Sequence, residues 1–299
     1  MRNKIKAHGA IFIANVLYGV NYVAVKQILP EYATWQALAF LRGFGALILL
    51  LAISPVFKHE KIAKKDIGKI AIAGVLGVAI NQSLLVWGIS LSSPINASII
   101  MTLNPLFVMI FSALYLKFSI TKHKVLGIII GGVGAVILIL SARNAQFDGT
   151  HTVGDIIILC NAILYGAYLV ITKPLMKKYD SFTVLKYTFL FGCFPVVFYG
   201  AEPTFQINFA EMPMYVYAAI AFVVIGATFL TYLLNIVGLK YVNPTTVSVY
   251  IYLQPIVAGI ISISIGEDAF SWYKLFSMLL VFIGVYLVTL SNKHEPQKR

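Results

Sequence analysis

Charge is scarce in this sequence. Charged residues make up 11% of the 299 residues while hydrophobic residues make up 60%; soluble domains carry roughly 25% charged residues. No soluble domain fits between the apolar runs, whose longest connections are about a dozen residues. Acids are scarcer than bases: all 11 of them are expected in loops or tails, and the five histidines at or beyond span ends. No carboxylate is then available at mid-membrane to relay a proton or hold a lipophilic cation. A small multidrug/proton antiporter working through a single glutamate is therefore disfavoured, and neutral or zwitterionic solutes fit better. Intramembrane hydrolysis would need a Ser–His, paired-Asp or metal constellation. HExxH, CxxC and phosphate-cradling glycine loops are absent, so the chain is expected to be no enzyme and to hold neither cofactor nor metal. Cysteine is limited to Cys160 and Cys193, both within apolar runs, which implies no disulfide framework. The net charge of +12 does not indicate a nucleic-acid partner, because the basic residues are dispersed through short loops.

What is present is a succession of apolar runs, expected to form ten transmembrane helices in a lipid bilayer. They cover approximately 8–28, 35–53, 70–89, 94–116, 124–141, 156–171, 182–199, 217–237, 245–265 and 273–290. The fourth is 23 residues long and free of charge, with Asn104 and Pro105 near its middle. Proline cannot donate a backbone hydrogen bond, so the carbonyl of Met101 loses its helical partner. In hydrocarbon such a carbonyl is tolerated only beside protein, water or a ligand. The feature recurs 150 residues later, where Pro244, Gln254 and Pro255 match Pro94, Asn104 and Pro105 and Pro255 frees the carbonyl of Ile251. The same offset pairs Gly88 with Gly238, Ser98 with Ser248, Lys124 with Lys274 and Gly134 with Gly284. An ungapped register carrying two prolines in both copies reads as a duplication. Residues 1–141 form the first repeat, 142–155 an extracytoplasmic linker and 156–299 the second repeat with its tail.

Counting loops on the side of the termini gives 18 of the 23 lysines and arginines. This asymmetry predicts cytoplasmic termini in a bacterial inner (plasma) membrane. Five spans per half is an odd number, so the second half enters the membrane upside down. The fold class is an all-α membrane protein of two inverted five-helix repeats, the architecture in which paired broken helices flank a mid-membrane site.

Polar residues form stripes along the spans. Asn15, Tyr18 and Tyr22 share one face of the first helix. Asn161, Tyr165, Tyr168 and Thr172 do so on the sixth, and Thr228, Thr231, Tyr232 and Asn235 line the eighth. Asn81 and Gln82 sit in the third, and Ser248, Tyr250, Tyr252 and Gln254 in the ninth. In lipid these groups must face protein or water. Each alone could be interhelical glue; together they predict a polar cavity lined by aromatic rings. The candidate substrate contacts are Asn15, Tyr18, Tyr22, Gln82, Met101, Asn104, Tyr165, Tyr168, Tyr232, Tyr250 and Gln254. Arg42, Pro105 and Pro255 are assigned structural or gating roles. Lys26 sits at the outer mouth and is expected to snorkel. Gly127, Gly131 and Gly134 suit close helix packing or a dimer face, so both monomer and homodimer remain open.

Two segments carry a family resemblance. Ala14–Lys26, ANVLYGVNYVAVK, resembles the opening helix of the EamA family in the drug/metabolite transporter superfamily. Leu38–Gly43, LAFLRG, is similar to that family's second-helix motif, whose arginine falls at Arg42. The Asn104-Pro105 and Gln254-Pro255 pairs are similar to its fourth and ninth helices. Tyr18-Gly19 departs from the usual Trp-Gly, keeping an aromatic ring but adding a hydroxyl. The resemblance implies a ten-helix carrier of the inner membrane, with a central cavity among helices 1, 3, 4, 6, 8 and 9. Such carriers often export amino acids and other metabolites. The expected function is therefore secondary transport of small polar metabolites such as amino acids by alternating access. A non-transporting accessory membrane protein and a channel are the alternatives.

Overall fold

The structure, a computed structural model, describes residues 2–57, 60–116, 122–141, 150–241, 247 and 250–292. Pro244, Ser248, Lys58, Lys117, Arg143 and the tail from Lys293 lie outside the described residues. Every element within them is a helix. They are α1 (Arg2–Ile28), α2 (Trp35–Ile53), α3 (Lys64–Leu91), α4 (Pro94–Met101), α5 (Asn104–Leu116), α6 (Lys122–Ser141), α7 (Thr150–Lys178), α8 (Ser181–Phe205), α9 (214–241), α10 (Leu253–Ser264) and α11 (Trp272–Asn292). Seven helical segments, with α4 and α5 taken as one, are long and apolar enough to cross a membrane. Three shorter apolar helices, Val125–Gly134, Tyr250–Ser264 and Trp272–Gly284, fall where the sequence places further spans. Outward-facing side chains such as Phe194, Phe198 and Leu114 are largely exposed, as a lipid-facing band requires.

The breaks fall where proline predicts them. Thr34 caps α2 by accepting from the Ala37 N–H at 3.2 Å. Ser93 does the same for α4 through Asn96, with Pro94 at the first helical position. α4 ends at Met101 and α5 restarts at Asn104, with Leu103 held by an N–H bond to Ile100 at 3.0 Å. In the second copy a 3₁₀ turn, Tyr250–Tyr252, precedes α10. Both repeats also carry a π-helical stretch in the third helix, Val75–Ile80 in α3 and Phe222–Leu230 in α9. Such stretches rotate the side chains that follow and often mark functional positions.

The two repeats exchange partners. α3 of the first half packs against α7, and α9 of the second packs against α1. Gly88 lies against Ile158, and its repeat mate Gly238 lies against Ile11. The equivalent helices α2 and α8 pack on each other, as do α6 and α11. At the last of these contacts a Cβ on Gly284 would sit 2.5 Å from both the Gly127 carbonyl oxygen and the Gly131 nitrogen. The glycines of α6 therefore serve packing within the chain: the backbones of α6 and α11 touch, and only glycine leaves room.

Polar contacts gather at the two ends of the bundle. At one end Asp66 accepts from Lys178 and, at 2.6 Å, from Tyr179, and Lys186 reaches the Ser54 hydroxyl at 3.1 Å. At the other, Lys26 donates to the carbonyls of Ser90 and Ser92 at 3.2 and 3.1 Å. It caps the C-terminal end of α3 instead of snorkelling to water, a favourable place for a cation. Asp155 is fully buried and accepts from the side chains of Ser92 and Asn96, the latter at 3.1 Å.

This corrects the expectation that every acid lies in a loop or a tail. Asp66, Asp155 and Glu202 are helical, each close to an end of its helix. α7 begins at Thr150, inside the segment drawn as the linker 142–155. Asp155 tolerates burial because two side-chain donors satisfy its carboxylate.

Candidate functional site

The helices named above line a cavity that opens to solvent, with about 660 Å³ of empty space when that open solvent is counted. Its wall draws on α1, α2, α3, α4, α7, α9, α10 and Val247, and so on both repeats. On one side Gln254 binds α10 to α1. Its Nε2 donates to Asn15 Oδ1 at 2.7 Å, and its Oε1 accepts from the Tyr22 hydroxyl at 2.8 Å. Asn15 in turn donates to the Ile11 carbonyl at 2.9 Å. This chain of amides and hydroxyl spans the break before Pro255, and Ile251, whose carbonyl the proline frees, lines the same wall, as does Met101 in the first copy.

Gln82 and Tyr232 occupy equivalent places in the two repeats, 150 residues apart, and they meet. Gln82 Nε2 donates to the Tyr232 hydroxyl at 3.1 Å, and that hydroxyl donates to the Gly77 carbonyl at 3.0 Å within the π stretch of α3. The pseudo-twofold relation between the repeats is thus written into the cavity wall. Nearby Asn81 and Asn161 clasp each other's backbones, through bonds of 3.3 and 2.6 Å, and lock α3 to α7. Asn235 donates to the Tyr18 hydroxyl at 3.2 Å.

Arg42 also faces the cavity, 1% exposed. Its Nε donates to the Thr228 hydroxyl at 3.1 Å. Thr228 donates onward to the Val223 carbonyl, five residues back at 2.8 Å. That spacing belongs to the π stretch of α9, which sets the threonine toward α2.

Eight of the eleven contacts expected from sequence line this cavity: Asn15, Tyr18, Tyr22, Gln82, Met101, Tyr165, Tyr232 and Gln254. The other three do not. Asn104 is fully buried and donates to the Ala162 carbonyl at 2.9 Å. Tyr168 lies over Gly77, where a Cβ would meet its ring at 2.3 Å. Tyr250 hydrogen-bonds His8 at 2.9 Å. Arg42, expected to be structural or gating, is part of the wall, and so are Asn21, Asn81, Asn161 and Asn235. Asn161 and Asn235 already stood on polar stripes; a carboxamide inside an apolar run was the available signal. Among the described residues no cluster of His, Cys, Asp or Glu could hold a metal ion.

These features define a polytopic membrane protein of two repeats around a cavity lined by carboxamide and tyrosine side chains. The chain belongs to the EamA-like transporter family, whose model matches it twice, over residues 5–140 and 152–290. It is therefore a membrane transporter by family. It is 26% identical to an uncharacterized transporter, YyaM, of Bacillus subtilis (strain 168), over 91% of this chain and 89% of that protein. It is 24% identical to a probable terminal-alkyne amino-acid exporter of Streptantibioticus cattleyicolor, covering 65% of this chain and 66% of that one. A solved crystal structure shares the fold with a TM-score of 0.64 and 19% identity, over 97% of this chain and 98% of that one.

Proposed function

We infer that the protein is a ten-span secondary carrier for small polar metabolites, amino acids foremost, that works by alternating access around the cavity. The observation that carries this reading is the cavity itself. It is lined by carboxamides, tyrosine rings and apolar surface, and is walled by both repeats at two proline breaks. Tyrosine faces and carboxamides suit a solute with an apolar body and polar ends. Rocking one repeat against the other would open such a point to each side in turn. Gln82 and Tyr232, bonded across the repeat axis, would part and re-form in that motion.

In proteoliposomes the carrier is expected to show saturable counterflow of an amino acid or related metabolite. Non-saturable flux would indicate a channel, and no flux of any solute an accessory protein. Orientation is tested separately. On a background lacking Cys160 and Cys193, Lys64→Cys is expected to resist an impermeant maleimide in intact cells and to react in inverted vesicles. Labelling from outside would reverse the proposed cytoplasmic placement of the termini.

A further inference from the structure

A buried charge demands a partner, and Arg42 lacks a full set. Its guanidinium carries five N–H donors and stays charged at neutral pH. One of them, on Nε, meets the Thr228 hydroxyl. A terminal nitrogen, NH1, is buried without any hydrogen-bond partner. No aspartate or glutamate lines the cavity to neutralise it, and among the described residues lining it Arg42 is the one cation. A desolvated cation in this condition is costly unless an anion completes it.

The remaining orphans in the wall are acceptors. Asn21 Oδ1, Asn235 Oδ1, Gln82 Oε1 and Asn161 Oδ1 are buried without partners. The network dictates the orientations of the last two. Tyr232 spends its hydroxyl proton on the Gly77 carbonyl, so Gln82 must present Nε2 to it. Asn161 faces the Asn81 carbonyl, which only its Nδ2 can satisfy. Both free oxygens therefore await N–H or O–H donors.

We propose that Arg42 is the specificity-determining anchor for a carboxylate on the transported solute, whose N–H donors fall to the oxygens of Gln82 and Asn161. The proposal rests on the carrier reading and narrows it. A single guanidinium matches a monoanionic carboxylate, which it holds through two parallel N–H bonds. A dianionic phosphate would exceed it in charge, and a cation would be repelled by it.

The test uses the full chain in nanodiscs and, in parallel, in proteoliposomes. The probes are the twenty proteinogenic L-amino acids, with tetraethylammonium and myo-inositol as cationic and uncharged comparisons. For each amino acid that binds, its carboxamide, which keeps the ammonium but loses the anion, is titrated by calorimetry. The carboxamide is expected to bind at least about 30-fold more weakly than the acid, the scale of losing a charge-assisted hydrogen bond. In Arg42→Gln the acid should fall to the affinity of the carboxamide, and Arg42→Lys should recover part of the difference. If Arg42→Gln does not fold, the comparison on the unmodified protein still decides. Equal affinity of acid and carboxamide would overturn the proposal. So would a folded Arg42→Gln that binds the acid as before, the absence of binding by any amino acid, or exchange of only tetraethylammonium or myo-inositol. Exchange of those two would leave the carrier reading standing. Arg42-dependent binding of an acid without counterflow would do the reverse, preserving the anion site and removing the carrier reading.

Discussion

Gln254→Leu is expected to lower counterflow at least tenfold while folded protein still accumulates in the membrane. Gln254 ties α10 at its break to two side chains of α1, Asn15 and Tyr22. Leucine suits an apolar helix, so insertion is preserved. It leaves the Asn15 oxygen and the Tyr22 hydroxyl at the cavity wall without this partner, each at about 1–3 kcal/mol. That loss falls on the surface where the solute is proposed to sit. Asn104→Leu is the informative comparison. Its amide holds the Ala162 carbonyl and does not reach the cavity. It should lower thermal stability by a similar amount and affect counterflow less. Wild-type rates in a folded Gln254→Leu would place the site elsewhere, and an equal transport defect in both variants would mean that the two breaks act alike.

Gly284→Leu is expected to have the largest effect on the fold. An added side chain would meet backbone atoms of Gly127 and Gly131, which cannot rotate away as a side chain would. α6 and α11 would have to separate along their length. The cost should exceed the roughly 1–3 kcal/mol of an overpacked side chain. Size-exclusion chromatography in detergent should show aggregated or poorly recovered protein, and any folded fraction should melt well below the parent. A monodisperse variant with the parent's melting temperature would show that the two helices separate without loss. Gly259 offers a control, since nothing lies within 4 Å of a Cβ there.

The apolar runs, the duplication, the paired proline breaks and the bias of positive charge were all legible in the chain alone. Each is a local property: a bilayer core demands about 20 apolar residues per helix, and a proline removes its own N–H wherever it stands. Tertiary structure decided which polar residues share the cavity. Asn104 and Gln254 hold the same repeat position, but the shorter asparagine stops at a backbone carbonyl while glutamine crosses to Asn15. Tyr165 and Tyr168 lie on one stripe, and only Tyr165 lines the cavity, because Gly77 leaves space for the other ring behind the wall. Asp155 is buried because the end of α3 and the first turn of α4 bring Ser92 and Asn96 to it. Arg42 lines the cavity with its Nε on the hydroxyl of Thr228, a residue of the π stretch of α9. A helical stripe states that a residue must avoid lipid. Whether it meets a neighbouring helix or open space depends on the rotation of every helix around it, which no local pattern encodes.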